Sequence, residues 1–417
     1  MFKTKWMLIG FVVITLSAAM LLPASVQAEK TVYVGGTMAL TGPYAEDTAA
    51  VLAAYEDYVK YVNETKMLAP WRAAKFPADI SLEVLWRDDE LKPPKALTIY
   101  EELKAKGILV YRCSGTPIAL ALMDKLNEDH MGAVSMATGP YLLTPPKTVF
   151  TMYPIYTDEG GAVADWFMEG WKKDRKPRFA YLTADHPFGR SVELPQLTEY
   201  IKKLGYEFVG SQYVPLVATA PPTTQLMWLK KNKVDLTYGN MINPGSQPTI
   251  KEAVRLGMGP DKAYKITFGF SYPSWLQVMI PAMGELANGV VQAGGFPSWD
   301  DPCPGMRFVA ELQNKYRSGR RVTHIMYAAG IVEAMTQVEA LRLTMQKVPF
   351  DQLTPRKVLE NGFYNIKKLD TGGITSTPLT YGKGDVEGLD EVRVDQVQNA
   401  RIVKMGTWPC RHLYKHK

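Results

Sequence analysis

Short apolar runs alternate with amphipathic helical stretches from residue 31 to about residue 127, and the same alternation restarts after Thr151. The first pass predicts strands over 31–38, 80–86, 108–111 and 133–136, with helices over 47–63, 93–104 and 117–127. The second predicts helices over 160–172, 189–204, 223–232 and 247–256, with strands over 178–183, 207–214, 236–238 and 265–268. A βαβα order implies parallel strands, because each helix returns the chain to the same end of the sheet, and a parallel sheet needs helices on both faces. Two α/β lobes in series are therefore expected. The last third mixes its signals, with a strand over 289–293, helices over 306–316, 325–343 and 355–360, and strand-like pieces at 392–394 and 400–405. These pieces must complete the two lobes, so the chain is expected to cross between them more than once. The expected division is 29–152 plus about 290–372 for one lobe, and 153–289 plus about 373–417 for the other.

The N-terminus sets the compartment. Lys3 and Lys5 precede an unbroken apolar run from Trp6 to about Leu22, followed by Pro23 and the small-residue triplet Val26-Gln27-Ala28. This is the pattern of an export signal over residues 1–28, cleaved to leave a chain that begins near Glu29 in the bacterial periplasm. A retained anchor helix is the alternative. No cysteine stands at the cut to carry a lipid. Loss of Lys3 and Lys5 lowers the formal charge of +6 by two. The remaining bases are scattered among acids, which is no footprint of nucleic acid.

Three cysteines, Cys113, Cys303 and Cys410, are too few and too far apart for a metal knuckle, while an oxidising compartment permits one bridge. Cys303 with Cys410 is the expected pair, with Cys113 buried and free. Both partners lie in proline-rich, loop-like sequence beside Pro302, Pro304 and Pro409. Three free thiols are the alternative.

Catalytic signatures are missing: the chain has no G-x-S-x-G elbow, no H-E-x-x-H, no phosphate loop and no G-x-G-x-x-G after a strand. His130, His186, His324, His412 and His416 are isolated or in the tail, none with metal-ligand spacing to a second ligand. Asp88-Asp89, just after a strand, reads as a solvated turn. No cofactor, metal or catalytic residue is expected.

The informative segments leave the carboxyl ends of strands and open helices, where open parallel sheets bind ligands. Cys113-Ser114-Gly115-Thr116-Pro117 places Pro117 at the first helical position with Thr116 or Ser114 as cap, so that N–H groups and a hydroxyl face the space between the lobes. Such a helix end attracts a carboxylate or another acceptor. Ser135-Met136-Ala137-Thr138-Gly139-Pro140 brings a second hydroxyl to the same spot, and Leu40-Thr41-Gly42-Pro43-Tyr44-Ala45-Glu46-Asp47 adds Tyr44 and Asp47 at the rim. In the second lobe the strand ends carry Asp185-His186-Pro187-Phe188-Gly189, Tyr238-Gly239-Asn240-Met241 and Gly269-Phe270-Ser271-Tyr272. These are aromatic, apolar and amide-rich, as suits the lid of a small-molecule cleft.

The opening Val34-Gly35-Gly36-Thr37-Met38-Ala39-Leu40-Thr41-Gly42-Pro43, the Cys113-Ser114 turn, the Ala137-Thr138-Gly139-Pro140 turn and Ile325-Met326-Tyr327-Ala328-Ala329 together resemble the branched-chain amino-acid-binding receptors of ABC importers. The resemblance implies an α/β type I periplasmic binding fold, with two Rossmann-like lobes, three crossovers and closure about a hinge. It also implies a substrate carboxylate held by Ser114, Met136 and Thr138, with Phe188 and Asn240 or Met241 contributed by the second lobe. The sequence departs from this pattern at Ser271, where the family has an acid for the substrate ammonium; a ligand ammonium would lose its counter-charge unless Asp185, Glu46 or Asp47 replaces it, and an unpaired buried charge is costly. Leu91 lies near where the family has a cysteine partner for Cys113.

The expected function is a non-enzymatic receptor that delivers a small carboxylate- or amide-bearing solute to an ABC permease in the inner membrane. The ligand is expected to dock on Ser114 and Thr138, and to be covered by Phe188, Met241, Ser271 and Tyr272. A monomer without nucleic-acid partners is expected. A sensor subunit of the same fold is the alternative; a secreted hydrolase lacks its nucleophile and base.

Overall fold

The computed structural model describes residues 30–414, so the export-signal expectation lies outside the described residues. The first body is built on parallel strands: β1 (Lys30–Met38), β2 (Ile80–Asp88), β3 (Tyr111–Cys113), β4 (Ala133–Ser135) and β5 (Val149–Phe150). β1 pairs with β2 from Lys30↔Ile80 to Met38↔Asp88, and β3, β4 and β5 pair in that order. Its connecting helices are α1 (Ala45–Thr65), α2 (Pro93–Ala105), α3 (Thr116–Glu128) and α4 (Pro140–Leu143).

The second body carries helices α5 (Tyr156–Glu169), α6 (Pro187–Arg190), α7 (Pro195–Lys203), α8 (Thr223–Lys231), α9 (Asn243–Arg255) and α10 (Leu276–Met283). They flank a seven-stranded sheet formed by β6 (Arg178–Ala184), β7 (Glu207–Val214), β8 (Leu236–Gly239), β9 (Thr267–Phe270), β10 (Val291–Gly294), β11 (Glu391–Gln398) and β12 (Arg401–Pro409). The strand order is β12-β11-β10-β9-β8-β6-β7, with β6 to β10 parallel and β11 and β12 antiparallel. Asn399 and Ala400, both at positive φ, make the tight turn between β11 and β12. Helices α11 (Pro304–Tyr316), α12 (Met326–Met345) and α13 (Pro355–Asn361) return to the first body, where α12 packs along α1 and β1.

The chain passes between the bodies at 151–155, at 295–303 and again in the segment before β11. The first and last passages lie side by side: Thr151 N donates to Val386 O at 3.0 Å and Gly388 N to Thr151 O at 2.9 Å. β10 is hydrogen-bonded to β9, which puts the second passage after Gly294 instead of at about residue 290.

Buried Gln337 of α12 joins β1 to β3. Its side-chain nitrogen donates to Gly35 O at 3.2 Å and Tyr111 O at 2.7 Å, and its oxygen accepts from Gly35 N at 2.9 Å. Next to it, Gly36 sits at φ +142° with its Cα against the Arg112 backbone, where any Cβ would overlap main-chain atoms. Gln337→Leu removes three hydrogen bonds to buried main-chain groups, so chemical denaturation should show a loss of about 2–3 kcal/mol. A loss below about 0.5 kcal/mol would mean that the strands satisfy each other directly.

Several local expectations are corrected. The strand expected at 108–111 lies at Tyr111–Cys113, because pairing with β4 begins at Tyr111↔Ala133. The helix expected over 189–204 is broken into α6 and α7: Pro195 lacks the N–H that would continue a helix and starts a new one. The expected Cys303–Cys410 bridge is absent, and all three cysteines are free thiols. Cys303 caps α11, its sulfur accepting from Met306 N at 3.4 Å, whereas the Cys410 thiol follows β12 and donates to Leu389 O at 3.5 Å. The two thiols serve different elements on different bodies. Among the described residues no helix is long and apolar enough to cross a membrane.

Candidate ligand-binding site

The carboxyl ends of β1, β3 and β4 face those of β6, β8 and β9 across a narrow cleft. A small cavity of about 10 Å³, room for about one water, lies between them, lined by Tyr44, Thr116, Met136, Ala137, Tyr156 and Phe188 among others. Asp47 and Ile242 continue from it into an open mouth of about 470 Å³ that also meets Glu46, Asn243 and His324. The two bodies touch directly above the cavity. The Tyr272 hydroxyl donates to Met136 O, Tyr141 Oη to Pro187 O at 3.3 Å, and Tyr156 N to Thr138 O at 3.5 Å.

Each wall has a local cause. β3 ends at Cys113, and α3 begins at Thr116 with Gly115 as its cap residue, so neither Ser114 nor Thr116 caps the helix by its side chain as expected. Thr116 instead faces the cleft at the positive end of α3. Ser114 is fully buried behind it, and its hydroxyl donates to the Asp89 carboxylate. Asp89 is itself buried and accepts from Leu91 N at 2.8 Å, so this acid orders the loop instead of solvating it. Thr138 is fully buried and not itself among the cleft-lining residues, and its Oγ1, apart from its proximity to Tyr156, has no hydrogen-bond partner.

The rim residues behave differently from one another. Tyr44 lies on the cleft wall, and Asp47 in the first turn of α1 sits 2.9 Å from His324 Nε2. Phe188 packs edge-on to Tyr156 with ring centres 5.5 Å apart. Met241 points into the interior of the second body, its carbonyl accepting from Ser274 Oγ at 2.8 Å. Asn240 Nδ2 donates to Phe188 O and Ser191 Oγ at 3.0 and 3.1 Å, while its buried Oδ1 has no partner. Ser271 is fully buried and is not among the cleft-lining residues. Asp185 is exposed and paired with Arg190 at 2.9 Å, away from any ligand role.

Sequence reasoning named Tyr272 but missed the rings of the aromatic column it joins above the cleft. Tyr272 stacks on Tyr153 with centres 4.5 Å apart, approaches Tyr156 at 5.9 Å and meets Trp275 at 5.4 Å. Tyr153 and Tyr156 come from the first passage between the bodies, and the signal was available in the Tyr153-Pro154-Ile155-Tyr156 run. Burial holds the hydroxyls of Tyr44, Tyr156 and Tyr272 above the usual phenol range, so all three act as neutral hydrogen-bonding groups. Behind Tyr272, buried Glu159 accepts from Tyr238 Oη at 3.3 Å, and burial raises its carboxyl well above the ordinary value.

The arrangement suits capture by enclosure: apolar and aromatic walls, few polar groups, and no nucleophile paired with a base among the cleft-lining residues. Comparison with known structures gives the same architecture. A branched-chain amino acid ABC transporter protein from Thermus thermophilus with bound valine superposes with a TM-score of 0.81 at 21% identity, covering 93% of this chain and 98% of that one. A solute-binding protein of an ABC transporter from Rhodopseudomonas palustris BisB5, in complex with 3,4-dihydroxybenzoic acid, gives 0.72 at 18% identity, covering 91% and 98%. A periplasmic binding protein type 1 from Bordetella pertussis Tohama I gives 0.70 at 20% identity, covering 90% and 99%. No curated protein sequence matches the chain significantly. The family model described as periplasmic binding protein matches residues 31–378, most of the chain. With this match over a type I α/β architecture, the chain belongs to the periplasmic binding protein family.

Proposed function

We propose that this chain is the periplasmic receptor of an ABC importer, and that it closes on a small solute with a carboxylate or amide at one end and an apolar or aromatic body. The two bodies are the lobes, and the three passages between them are the hinge. The observation that carries the reading is the roofed cleft at the N-terminus of α3, with the buried and unpartnered Thr138 hydroxyl following the lining residues Met136 and Ala137. A ligand oxygen placed there gains that hydroxyl and the helix end together. Asp47 stands where a ligand ammonium or amide N–H needs an acceptor, in place of the acid missing at Ser271. Ser114 supports the site from behind: with its proton directed at Asp89, it positions the turn and leaves the first contact to Thr116 and Thr138.

Closure desolvates the ligand, and only the closed form presents both lobes to a permease in one arrangement. A thermal-shift screen of branched-chain amino acids, aromatic acids and short amides should find a ligand that raises the melting temperature. For that ligand, calorimetry on Thr138→Val should show affinity weakened about 10- to 100-fold, the range for losing a hydrogen bond to a charged group. Unchanged affinity in Thr138→Val would remove this cleft as the binding site.

A further inference from the structure

His412, isolated in the sequence, lies next to two acids from distant parts of the chain. Asp158 is in the first turn of α5, just after the first passage between the bodies. Glu387 lies in the last passage, bridged to Thr151. His412 follows β12. One carboxylate oxygen from each acid and one ring nitrogen of His412 all lie within 4.8 Å of one another. His412 Nδ1 is 3.3 Å from Glu387 Oε2.

The surroundings make this more than an ion pair. Asp158 is 1% exposed; its Oδ1 receives one long hydrogen bond, 3.4 Å from Leu413 N, and its Oδ2 is shielded from solvent with no hydrogen-bond partner. The Glu387 side chain is 9% exposed. Two carboxylates at this separation and burial repel each other, and a cation between them relieves that repulsion.

We propose that Asp158, Glu387 and His412 form a binding site for a divalent transition cation of the Zn²⁺ class, which fastens the C-terminal segment to the hinge between the lobes. Two carboxylate oxygens with one imidazole nitrogen match that class, whereas an all-oxygen set would suit Ca²⁺ or Mg²⁺. A tetrahedral ion with bonds of about 2.0–2.1 Å holds its ligand atoms about 3.3 Å apart. The Glu387–His412 pair already stands at that spacing. A turn of the His412 side chain, which is 37% exposed, would close all three atoms on one ion and leave a fourth position for water. The ion would join residues 158, 387 and 412, so loading the site stiffens the hinge independently of what the cleft holds.

The test uses the untagged protein, stripped with a chelator and titrated with Zn²⁺ by calorimetry, with metal content measured after gel filtration. The expected result is one Zn²⁺ per chain and a raised melting temperature, both lost in His412→Ala and in Asp158→Asn, with affinity at least about tenfold weaker in each. His324→Ala should keep the full stoichiometry. Absence of saturable Zn²⁺, undiminished binding in His412→Ala, or a preference for Ca²⁺ would each overturn the assignment. Circular dichroism checks that Asp158→Asn folds; if it does not, His412→Ala, at the partly exposed end of the chain, decides the matter alone.

Discussion

Replacing Arg112 with alanine should lower the unfolding free energy by about 3–5 kcal/mol, the cost of leaving a buried charge without its partner. Arg112 sits in the middle of β3, and both it and Glu333 of α12 have side chains 0% exposed. Arg112 Nε donates to Glu333 Oε2 at 2.5 Å and Nη1 to Thr37 O at 3.0 Å, while Tyr153 Oη donates to Glu333 Oε1 at 3.4 Å. Removing the guanidinium strands Glu333 in a medium that cannot solvate it. Truncating both partners to apolar residues of similar size, Arg112→Met with Glu333→Leu, should recover most of the loss, because the desolvation of two charges disappears with them. Urea denaturation of the single and double variants measures this. A single substitution costing under about 1 kcal/mol, or a double variant no better than the single, would show that the pair is not shielded as the structure has it. Tyr153 lies on the first passage between the bodies, so the pair also anchors one strand of the hinge.

The second large effect concerns closure. Tyr272→Ala removes the ring that stacks on Tyr153, meets Tyr156 and Trp275, and carries the hydroxyl to Met136 O. Aromatic pairs of this kind contribute about 0.5–1.5 kcal/mol each beyond area burial. The contacts with Tyr156 and Trp275 lie within the second body, so the stack on Tyr153 and the hydrogen bond to Met136 O are what favour the closed form, by about 1–3 kcal/mol together. The affinity of Tyr272→Ala for the ligand found by the thermal screen should fall about 10- to 100-fold, and small-angle scattering at saturating wild-type concentrations of ligand should keep the larger radius of the open form. Tyr272→Phe retains the stack and should lose about tenfold or less. If Tyr272→Ala closes and binds as the wild type does, the aromatic column is packing without a role in capture.

How far the sequence reached depended on the range of the forces involved. The βαβα alternation is a local signal, because each apolar run and each amphipathic stretch records its own burial. It determined the α/β class and put most strands and helices within a few residues of their positions, and the Ser135–Pro140 and Leu40–Asp47 segments marked stretches that line the cleft. The same reading missed α10, whose apolar residues and internal Pro281 carry no start signal, and placed β3 three residues early, because its edge is set by hydrogen bonds to β4.

What only the tertiary structure decided is which partner each polar group takes. Ser114 directs its proton to Asp89, Asn240 closes on Phe188 and Ser191, and Cys303 caps a helix instead of pairing with Cys410. Glu387 and His412 meet Asp158 although more than two hundred residues separate them along the chain. Composition and periodicity report how much of each segment is buried; they carry no information on which buried atoms meet. A hydrogen bond, a thiol pair or a metal ligand set is defined by distances of about 2–3 Å between groups remote in sequence, and those distances exist only once the two sheets have packed.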